Sequence, residues 1–409
     1  MTKTCTTLTL LFMALTTVAE PIDSLERMQQ RMQQDDYVSA SLLVATPGEE
    51  IYSAAGHAAL RMECPSQGVD YCYEFDNLVD LTHILDYVNG NMVALYKRLY
   101  THDFIDRYTQ EGRGIESLRL NLRPMQEIAL WQYLDYQTDS VGLRSFDFLS
   151  NNCASVVVEA VSHSIAPEQI VYRDVHERLC GTHREVFPYI FKNAPWAEFC
   201  WNIIMGTDFD TYHPMETRLF PVSILDEWKK ATIRDAQGVE RPLCADGTQT
   251  LLPAKVIDQP SAITPTLLFA LLLVLAIVVT VVEWRKGYGW WSRCIDVVLM
   301  TIETTLGLII AFMLVFSHQV ATSWNWLIIV FSPLPLLLWL LLRKRAIHRR
   351  LYFLYTLVLI TYCVLTPLIP QMQYASMPLL LLAMAVRTGK SLTPATSLTP
   401  TTSLTPTLP

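Results

Sequence analysis

The chain lacks several short motifs that mark common enzyme classes. It contains no H-E-x-x-H, no C-x-x-C, no glycine-rich phosphate loop and no G-x-S-x-G. These absences argue against zincin metalloproteases, dithiol redox proteins, nucleotide-binding proteins and serine hydrolases with a nucleophile elbow. His176, Cys180 and His183 are near one another in sequence, but their spacing is not that of a zinc site and no fourth ligand is evident. We therefore predict no metal and no cofactor.

Charged side chains are also scarce, at 17% of the 409 residues, and they are unevenly distributed. The whole chain has a formal charge of −8, while residues 261–409 contain ten Lys and Arg against three Asp and Glu, so residues 1–260 carry −15. An acidic segment is unsuited to nucleic acid, which requires clustered Lys and Arg. We expect no nucleic-acid partner.

The first 19 residues have the pattern of a secretory signal peptide. Lys3 precedes an apolar run from Leu8 to Leu15, and Thr17-Val18-Ala19 forms a cleavage site. Residues 20–262 are then predicted to be an exported, periplasmic domain, long enough to bury a core. Within it, Cys64 and Cys72 flank a turn and are candidates for a disulfide in an oxidising compartment.

Long apolar runs fill the C-terminal third and predict membrane spans. Four of them are long enough to cross a hydrocarbon layer of ~30 Å, and a fifth is shorter and interrupted by Pro378. The five runs are 263–282, 295–316, 324–342, 351–369 and 371–386. We therefore expect residues 263–387 to form an all-α membrane domain of about five transmembrane helices. Glu303 lies well inside the second run, where an acid either has a function or packs through hydrogen bonds.

The basic residues of this third predict its orientation. Lys and Arg follow the first, third and fifth runs, and none occurs in 317–323 or 370–376. By the positive-inside rule, the basic segments face the cytoplasm and residues 20–262 lie outside, in agreement with the signal peptide. The sequence thus predicts a multi-pass inner-membrane protein with a cytoplasmic C-terminus. Residues 388–409 repeat Ser-Leu-Thr-Pro and are predicted to be a disordered tail.

The exported part mixes short strand patterns with helix patterns in no regular alternation, which favours an α+β fold. A helix is expected from Pro124 to about Gln137, because proline suits a first helical turn. The predicted strands are 38–46, 57–63, 71–76 and 115–122.

Cys153 is predicted to lie in the first turn of a helix. Asn151 or Asn152 can serve as its N-cap, and Val156, Val157, Ala160 and Val161 follow helical spacing. At a helix N-terminus, a thiol faces unpaired N–H groups and the positive end of the helix dipole, which both favour the thiolate. Cys153 is therefore a candidate nucleophile, although a free cysteine is also among the most commonly buried residues.

His57, which follows Gly56 at the start of a strand pattern, is the candidate base. Imidazole takes up and returns a proton near neutral pH, as a thiol nucleophile requires. The alternative is that His57 only satisfies a local hydrogen bond.

These residues resemble a known family. Gly56-His57, then Asn152-Cys153 about a hundred residues later, then five spans, is similar to the Lnb-type bacterial lipoprotein N-acyltransferases. The similarity continues through the strand 115–122, through Phe146-Asp147-Phe148, and from Pro195 to Pro221. The resemblance implies a permuted papain-like exported domain, similar to lecithin–retinol acyltransferase-like and NlpC-like enzymes, in which the histidine precedes the cysteine.

The resemblance also implies a reaction. Cys153 would take a fatty acyl chain from a membrane phospholipid as a thioester, with His57 as base and then acid. The acceptor would be the α-amino group of an S-diacylglyceryl cysteine lipoprotein. A third residue should orient His57; Asp76 is the first choice and Glu74 the second, because residues two apart in a strand share a face.

Two further residues are possible supports for substrate or oxyanion. Asn152 either caps the helix or helps to hold the oxyanion. Arg61 either contacts a lipid phosphate or forms a surface salt bridge. The competing functional hypotheses are a membrane-anchored cysteine peptidase or amidase acting on cell-wall peptides with the same Cys–His pair, and an assembly module in which both residues belong to the core.

Overall fold

The computed structural model describes residues 38–48, 53–77, 89–141, 143–173, 182–211, 220–245, 247–255, 262–333 and 345–389. The predicted signal peptide, His176, Cys180 and nearly all of the predicted tail lie outside these residues. The chain divides into two compact units. The first comprises residues up to 197, together with 211–259 and 317–321, and the second comprises 198–210, 260–316 and 322–409.

The first unit is built on a seven-stranded antiparallel sheet with the order β10-β5-β1-β2-β3-β4-β6, and a three-stranded sheet with the order β7-β8-β9. The strands are β1 (Ser39–Ala45), β2 (His57–Cys64), β3 (Val69–Asn77), β4 (Val93–Tyr100), β5 (Ile115–Arg119), β6 (Leu143–Ser145), β7 (Gln169–Val171), β8 (Thr232–Arg234), β9 (Glu240–Pro242) and β10 (Gln249–Leu252). The predicted strands 38–46, 57–63 and 71–76 correspond to β1, β2 and β3 to within a few residues at their ends, whereas the predicted strand 115–122 ends earlier, at Arg119.

The helices are, in chain order, α1 (Thr101–Glu111), α2 (Pro124–Tyr136), α3 (Cys153–Ile165), α4 (Phe187–Ile190), α5 (Pro195–Ile204), α6 (Pro221–Trp228), α7 (Pro265–Lys286), α8 (Trp290–Phe316), α9 (Arg345–Leu365) and α10 (Met377–Gly389).

The two faces of the large sheet are covered differently. On one face, the even-numbered residues of β1 and β2 pack against α2, α3 and α6, with Trp228 fully buried among them. On the other face, a smaller cluster joins Leu43, Ala59 and Cys72 to Phe104 and Tyr108 of α1. A period of two along each strand produces this division. The mixed sheet-and-helix architecture confirms the α+β prediction for the exported part.

The strand register separates Cys64 from Cys72. Arg61 pairs with Cys72, and paired residues of an antiparallel ladder point to the same face. Cys64 is three residues beyond Arg61 and therefore points to the opposite face. Both side chains are buried free thiols, so the predicted disulfide is wrong.

Among the residues of the second unit that the structure describes, three helices are long and apolar enough to cross a membrane: Pro265–Lys286, Trp290–Phe316 and Arg350–Leu368. They correspond to the first, second and fourth predicted spans. The described part of the predicted span 324–342 contains a short 3-10 helix, Trp326–Ile329, and residues 334–344 lie outside the described ranges. The fifth run forms α10, whose 13 residues rise only ~20 Å, less than a hydrocarbon layer.

Arg387, on α10, forms hydrogen bonds to side chains of α7 and α8. Its guanidinium donates to Asp296 at 2.7 Å, to Glu283 at 2.9 Å and to Thr280 at 2.8 Å, and the residue is only 3% exposed. Glu283 and Thr280 lie on α7, and Asp296 lies on α8. Arg387 also donates to the carbonyl of Ser292 at 3.4 Å, and a buried cation with these four partners fixes the relative positions of α7, α8 and α10.

We expect Arg387→Ala to destabilise the second unit, because Asp296 and Glu283 would lose their shared cation at a cost on the order of 3 kcal/mol. The measurement is the thermal unfolding midpoint of the full-length protein in detergent. Arg293→Ala is the control. Arg293 is exposed and lies on α8, the helix that carries Asp296, so its loss should leave the midpoint unchanged. Equal midpoints for both variants would contradict a structural role for this ion cluster.

Candidate active site

Cys153 is the first residue of α3, and a well-formed N-cap holds it there. The side-chain carbonyl of Asn152 accepts from the backbone N–H groups of Ala154 and Ser155, both at 2.9 Å, and Ser155 Oγ accepts from Asn152 N at 2.8 Å. This reciprocal pair is a capping box. Asn152 is therefore the helix cap, and the alternative in which its carbonyl faces an oxyanion does not fit. Cys153 is half-buried.

The turn that precedes Cys153 is also rigidly bonded. Asp147 Oδ1 accepts from the N–H groups of Leu149 at 2.9 Å and Ser150 at 2.8 Å, and from the hydroxyl of Ser150 at 2.8 Å. The backbones of Asp147 and Asn151 pair as an isolated bridge. We call residues 146–152 the nucleophile loop. Its conformation determines where α3 begins, and so where the thiol lies.

His57 is the first residue of β2, opposite Ala45 of β1. Gly56 just before it has φ +85°, and a Cβ there would lie 2.8 Å from the carbonyl oxygen of Ala45. Glycine is thus required for this close approach of two backbones. The turn brings the imidazole close enough to Cys153 for the sulfur to raise the pKa of His57. The predicted Cys–His pair is therefore together in the fold.

Glu74, not Asp76, is the third member of the group. His57 Nε2 lies 3.2 Å from Glu74 Oε2, and the Glu74 side chain is fully buried. Glu74 pairs with Ala59, whose small side chain leaves room for the carboxylate to lean along the strand toward His57. Asp76 is one methylene shorter and receives Lys97 Nζ at 2.7 Å. The first choice from sequence, Asp76, is corrected to the second, Glu74.

Arg107 completes the group and was missed by sequence reasoning. Its two terminal nitrogens donate to the two oxygens of Glu74 at 3.0 and 2.5 Å, in the bidentate geometry that suits guanidinium and carboxylate. Arg107 lies on α1 between Phe104 and Tyr108, which face the sheet. An arginine at the edge of the apolar face of an amphipathic helix was the signal that could have pointed to it.

Charge balance in this group favours a cationic His57. Burial acts to lower the pKa of His57, but its contacts with Tyr108, Cys153 and Glu74 outweigh burial and hold it well above the usual value. Burial likewise acts to raise the pKa of Glu74, yet hydrogen bonds from His57 and Arg107 lower it to about 2. Glu74 is thus a permanent anion at neutral pH. An imidazolium beside a thiol stabilises the thiolate, which is the nucleophilic form.

Because Glu74 occupies Nε2 of His57, Nδ1 is the ring nitrogen left for Cys153. Tyr108 supports the ring from the side, with centroids 6.4 Å apart. Arg113 in turn lies over the Tyr108 ring at 4.6 Å. The imidazole is therefore held by a hydrogen bond at one end and by packing on its face, which leaves it the orientation that a general base requires.

Arg61 does not join this group. Its guanidinium donates to Asp70 at 2.7 and 2.8 Å and to Glu63 at 3.0 Å, so the salt-bridge alternative is the one observed. Within the ranges that the structure describes, no group of three or more His, Cys, Asp or Glu side chains is arranged to hold a metal ion.

The role of Glu74 can be tested by the substitution Glu74→Gln, which keeps the size of the side chain and removes its charge. The pKa of His57 should then fall, so that the proton stays on the Cys153 sulfur and alkylation by iodoacetamide at pH 6–7 slows by about tenfold per lost pKa unit. The measurement is the pH dependence of alkylation at Cys153, followed by peptide mass spectrometry.

Asp76→Asn is the matched control: Asp76 is paired with Lys97 and lies 3.7 Å from Arg107, but its carboxylate is not hydrogen-bonded to His57. Its alkylation profile should stay close to that of the unaltered protein. If both variants shift the profile equally, or neither does, the assignment of Glu74 as the partner of His57 is wrong.

Comparison with known proteins adds a family assignment to this geometry. Residues 24–187 match the family model described as the Lnb N-terminal periplasmic domain, and residues 257–397 match the one described as the Lnb transmembrane domain. No curated protein and no solved structure matches significantly. The first match contains His57, Glu74, Arg107 and Cys153, and the second contains the long apolar helices α7, α8 and α9. The chain belongs to the Lnb family, in which a periplasmic domain is joined to a transmembrane domain.

Proposed function

We propose that this protein is a lipoprotein N-acyltransferase with Cys153 as its nucleophile. The observation that carries the proposal is the chain of contacts Cys153–His57–Glu74–Arg107 at the N-terminus of α3. A nucleophile, a base and an orienting carboxylate in contact form the arrangement used for covalent acyl transfer. The order of histidine before cysteine also suits a permuted papain-like fold. Membership of a family with a periplasmic and a transmembrane domain supports a substrate held at the membrane surface.

In the first half-reaction, the Cys153 thiolate attacks an ester carbonyl of a glycerophospholipid. The carbon–oxygen ester bond breaks, and the His57 imidazolium gives its proton to the departing lysophospholipid oxygen. The product is an acyl thioester on Cys153. Glu74 holds the imidazole in place throughout, and Arg107 keeps Glu74 ionised.

In the second half-reaction, the α-amino group of an S-diacylglyceryl cysteine attacks the thioester carbonyl. An amide bond forms, the carbon–sulfur bond breaks, and neutral His57 takes the proton that the amine loses. The site returns to the thiolate–imidazolium state. A thioester is reactive enough to acylate an amine, so the hard transfer from ester to amide is divided into two easier steps.

The oxyanion of each tetrahedral intermediate needs hydrogen-bond donors. Ala154 N–H and Ser155 N–H already donate to Asn152, so the N–H of Cys153 itself is the first-turn donor that remains for the oxyanion. One such donor lowers the activation free energy by about 3 kcal/mol. The positive end of the α3 dipole acts in the same direction.

The alternative function, a membrane-anchored peptidase or amidase acting on cell-wall peptides, would use the same side chains. The membrane domain favours the transferase. A wall hydrolase needs at most one helix as an anchor, whereas the described residues of this chain include three helices long and apolar enough to cross a membrane. Both substrates of an N-acyltransferase are lipids of the outer leaflet, so a membrane-embedded enzyme meets them at high local concentration.

We expect Cys153→Ala to abolish N-acylation while the protein remains folded and membrane-inserted, because only the sulfur is removed. The measurement is mass spectrometry of lipoprotein N-termini from cells that depend on this protein. Cys244→Ala, which removes a thiol packed against the Trp228 backbone, is the control and should leave N-acylation intact. N-acylated lipoproteins in the Cys153→Ala strain would overturn the proposal.

A covalent intermediate gives a second test. Purified protein incubated with phospholipid should carry a fatty acyl group on Cys153 that hydroxylamine releases, since hydroxylamine cleaves thioesters. The adduct should be missing in His57→Ala. Cleavage of wall peptides without any acyl adduct would instead support the peptidase.

A further inference from the structure

A short segment between two membrane helices is part of the first unit. Residues 317–321 follow α8 directly in sequence, but they group with the sheet domain and not with the helices. The backbone N–H of His318 donates to the carbonyl of Asn89 at 2.7 Å. Gln319 is only 2% exposed. The segment is therefore seated firmly among residues of the exported part.

The side chain of Gln319 binds the nucleophile loop at two points. Its Nε2 donates to the carbonyl of Phe146 at 3.3 Å, and its Oε1 accepts from the N–H of Phe148 at 3.3 Å. These two backbone groups lie on either side of Asp147. A carboxamide has separate donor and acceptor atoms, as a peptide group does. It can therefore bind the carbonyl of Phe146 and the N–H of Phe148 together.

The nucleophile loop passes this constraint on to Cys153. Asn152 Nδ2 donates to the carbonyl of Phe148 at 3.1 Å, and the same Asn152 caps α3 through its Oδ1. Phe148 is thus bound on its N–H by Gln319 and on its carbonyl by Asn152. Three hydrogen-bonded steps connect Gln319 to the helix turn that carries the thiol.

The local chain is shaped to admit Gln319. Gly90 has φ +76°, and a Cβ there would lie 2.9 Å from both the backbone nitrogen and Cγ of Gln319. Any larger residue at position 90 would push the segment 317–321 outward. Gln319 can therefore occupy this position only because residue 90 is glycine.

We propose that Gln319 is a positioning residue for Cys153, so that a segment of chain between two membrane helices completes the active site of the exported domain. This inference deepens the proposed function, since it rests on Cys153 being the nucleophile. It gives the membrane part of the chain a task beyond anchoring. A single N-terminal or C-terminal anchor would supply no equivalent of Gln319.

The test uses the full-length protein and two matched substitutions, Gln319→Ala and Gln371→Ala. Gln371, in the connection between α9 and α10, is also a buried glutamine, at 1% exposure. Its side chain binds Met205 O and Asn325 Oδ1 within the second unit. Both variants lose a buried carboxamide, but only Gln319 contacts the nucleophile loop. The readouts are the thermal unfolding midpoint and the alkylation rate of Cys153 at pH 7 per folded molecule.

We expect Gln319→Ala to slow alkylation of Cys153 by at least about tenfold, since small displacements of a reacting group have effects of this size. Gln371→Ala should lower the unfolding midpoint and leave the alkylation rate unchanged. Gln319→Glu should also slow alkylation, because its second carboxylate oxygen would face the Phe146 carbonyl oxygen, to which Gln319 Nε2 donates.

Unchanged alkylation in Gln319→Ala, or an equal loss in Gln371→Ala, would overturn the positioning role. Thiol alkylation needs neither phospholipid nor lipoprotein. If Gln319→Ala slows alkylation as expected but the unaltered protein transfers no acyl group, the proposed function is refuted and the role of Gln319 stands.

Discussion

The buried carboxylate of Glu74 is the constraint on which the candidate active site depends. A charge with no exposed surface is costly unless it is paired and hydrogen-bonded, and Glu74 is paired on both oxygens by Arg107 and on one by His57. Burial acts to raise the pKa of Glu74, but this pairing lowers it to about 2, and Glu74 adds to the effect of Tyr108 and Cys153 in raising the pKa of His57. Without Arg107 the carboxyl group would take a proton to escape its buried charge. His57 would then lose its counter-charge, and the thiol its imidazolium.

The fold supplies this pairing from segments that are distant in sequence. His57 begins β2, Glu74 lies on the neighbouring β3, Arg107 comes from α1, and Cys153 begins α3. The two strands are hydrogen-bonded along their length, so the spacing between His57 and Glu74 is set by backbone register and not by side-chain flexibility. α1 covers one face of the sheet and α3 the other. The thiol of Cys153 and the guanidinium of Arg107, which binds Glu74, are therefore supplied by helices on opposite faces of the sheet.

Sequence patterns predicted the parts of this site whose signal is local. The N-cap Asn152, the thiol after it and the apolar stripe of α3 are all within one short segment, and Gly56-His57 opens a recognisable strand. The choice between Asp76 and Glu74 was not local, because both lie on the same face of β3. It was decided by Lys97 on β4 and Arg107 on α1, whose positions follow from strand register and helix packing. Gln319 had no local signal at all, since its partners are about 170 residues away in sequence.

Within each unit, buried carboxamide side chains of the C-terminal third bind backbone groups of the exported stretch. In the second unit, Asn325 Nδ2 donates to Ile203 O and Gln371 Nε2 to Met205 O, so residues 198–210 of the exported stretch are bound by connections between membrane helices. In the first unit, Gln319 makes the reverse link. Hydrophobic packing alone would tolerate sliding between such segments, because apolar contacts have little directional preference. A buried amide that is left unpaired is penalised by about 1–3 kcal/mol, so each one selects a single arrangement. In the proposed mechanism, Cys153 is positioned by hydrogen bonds from outside its own segment, so its reactivity is tied to correct assembly of the chain.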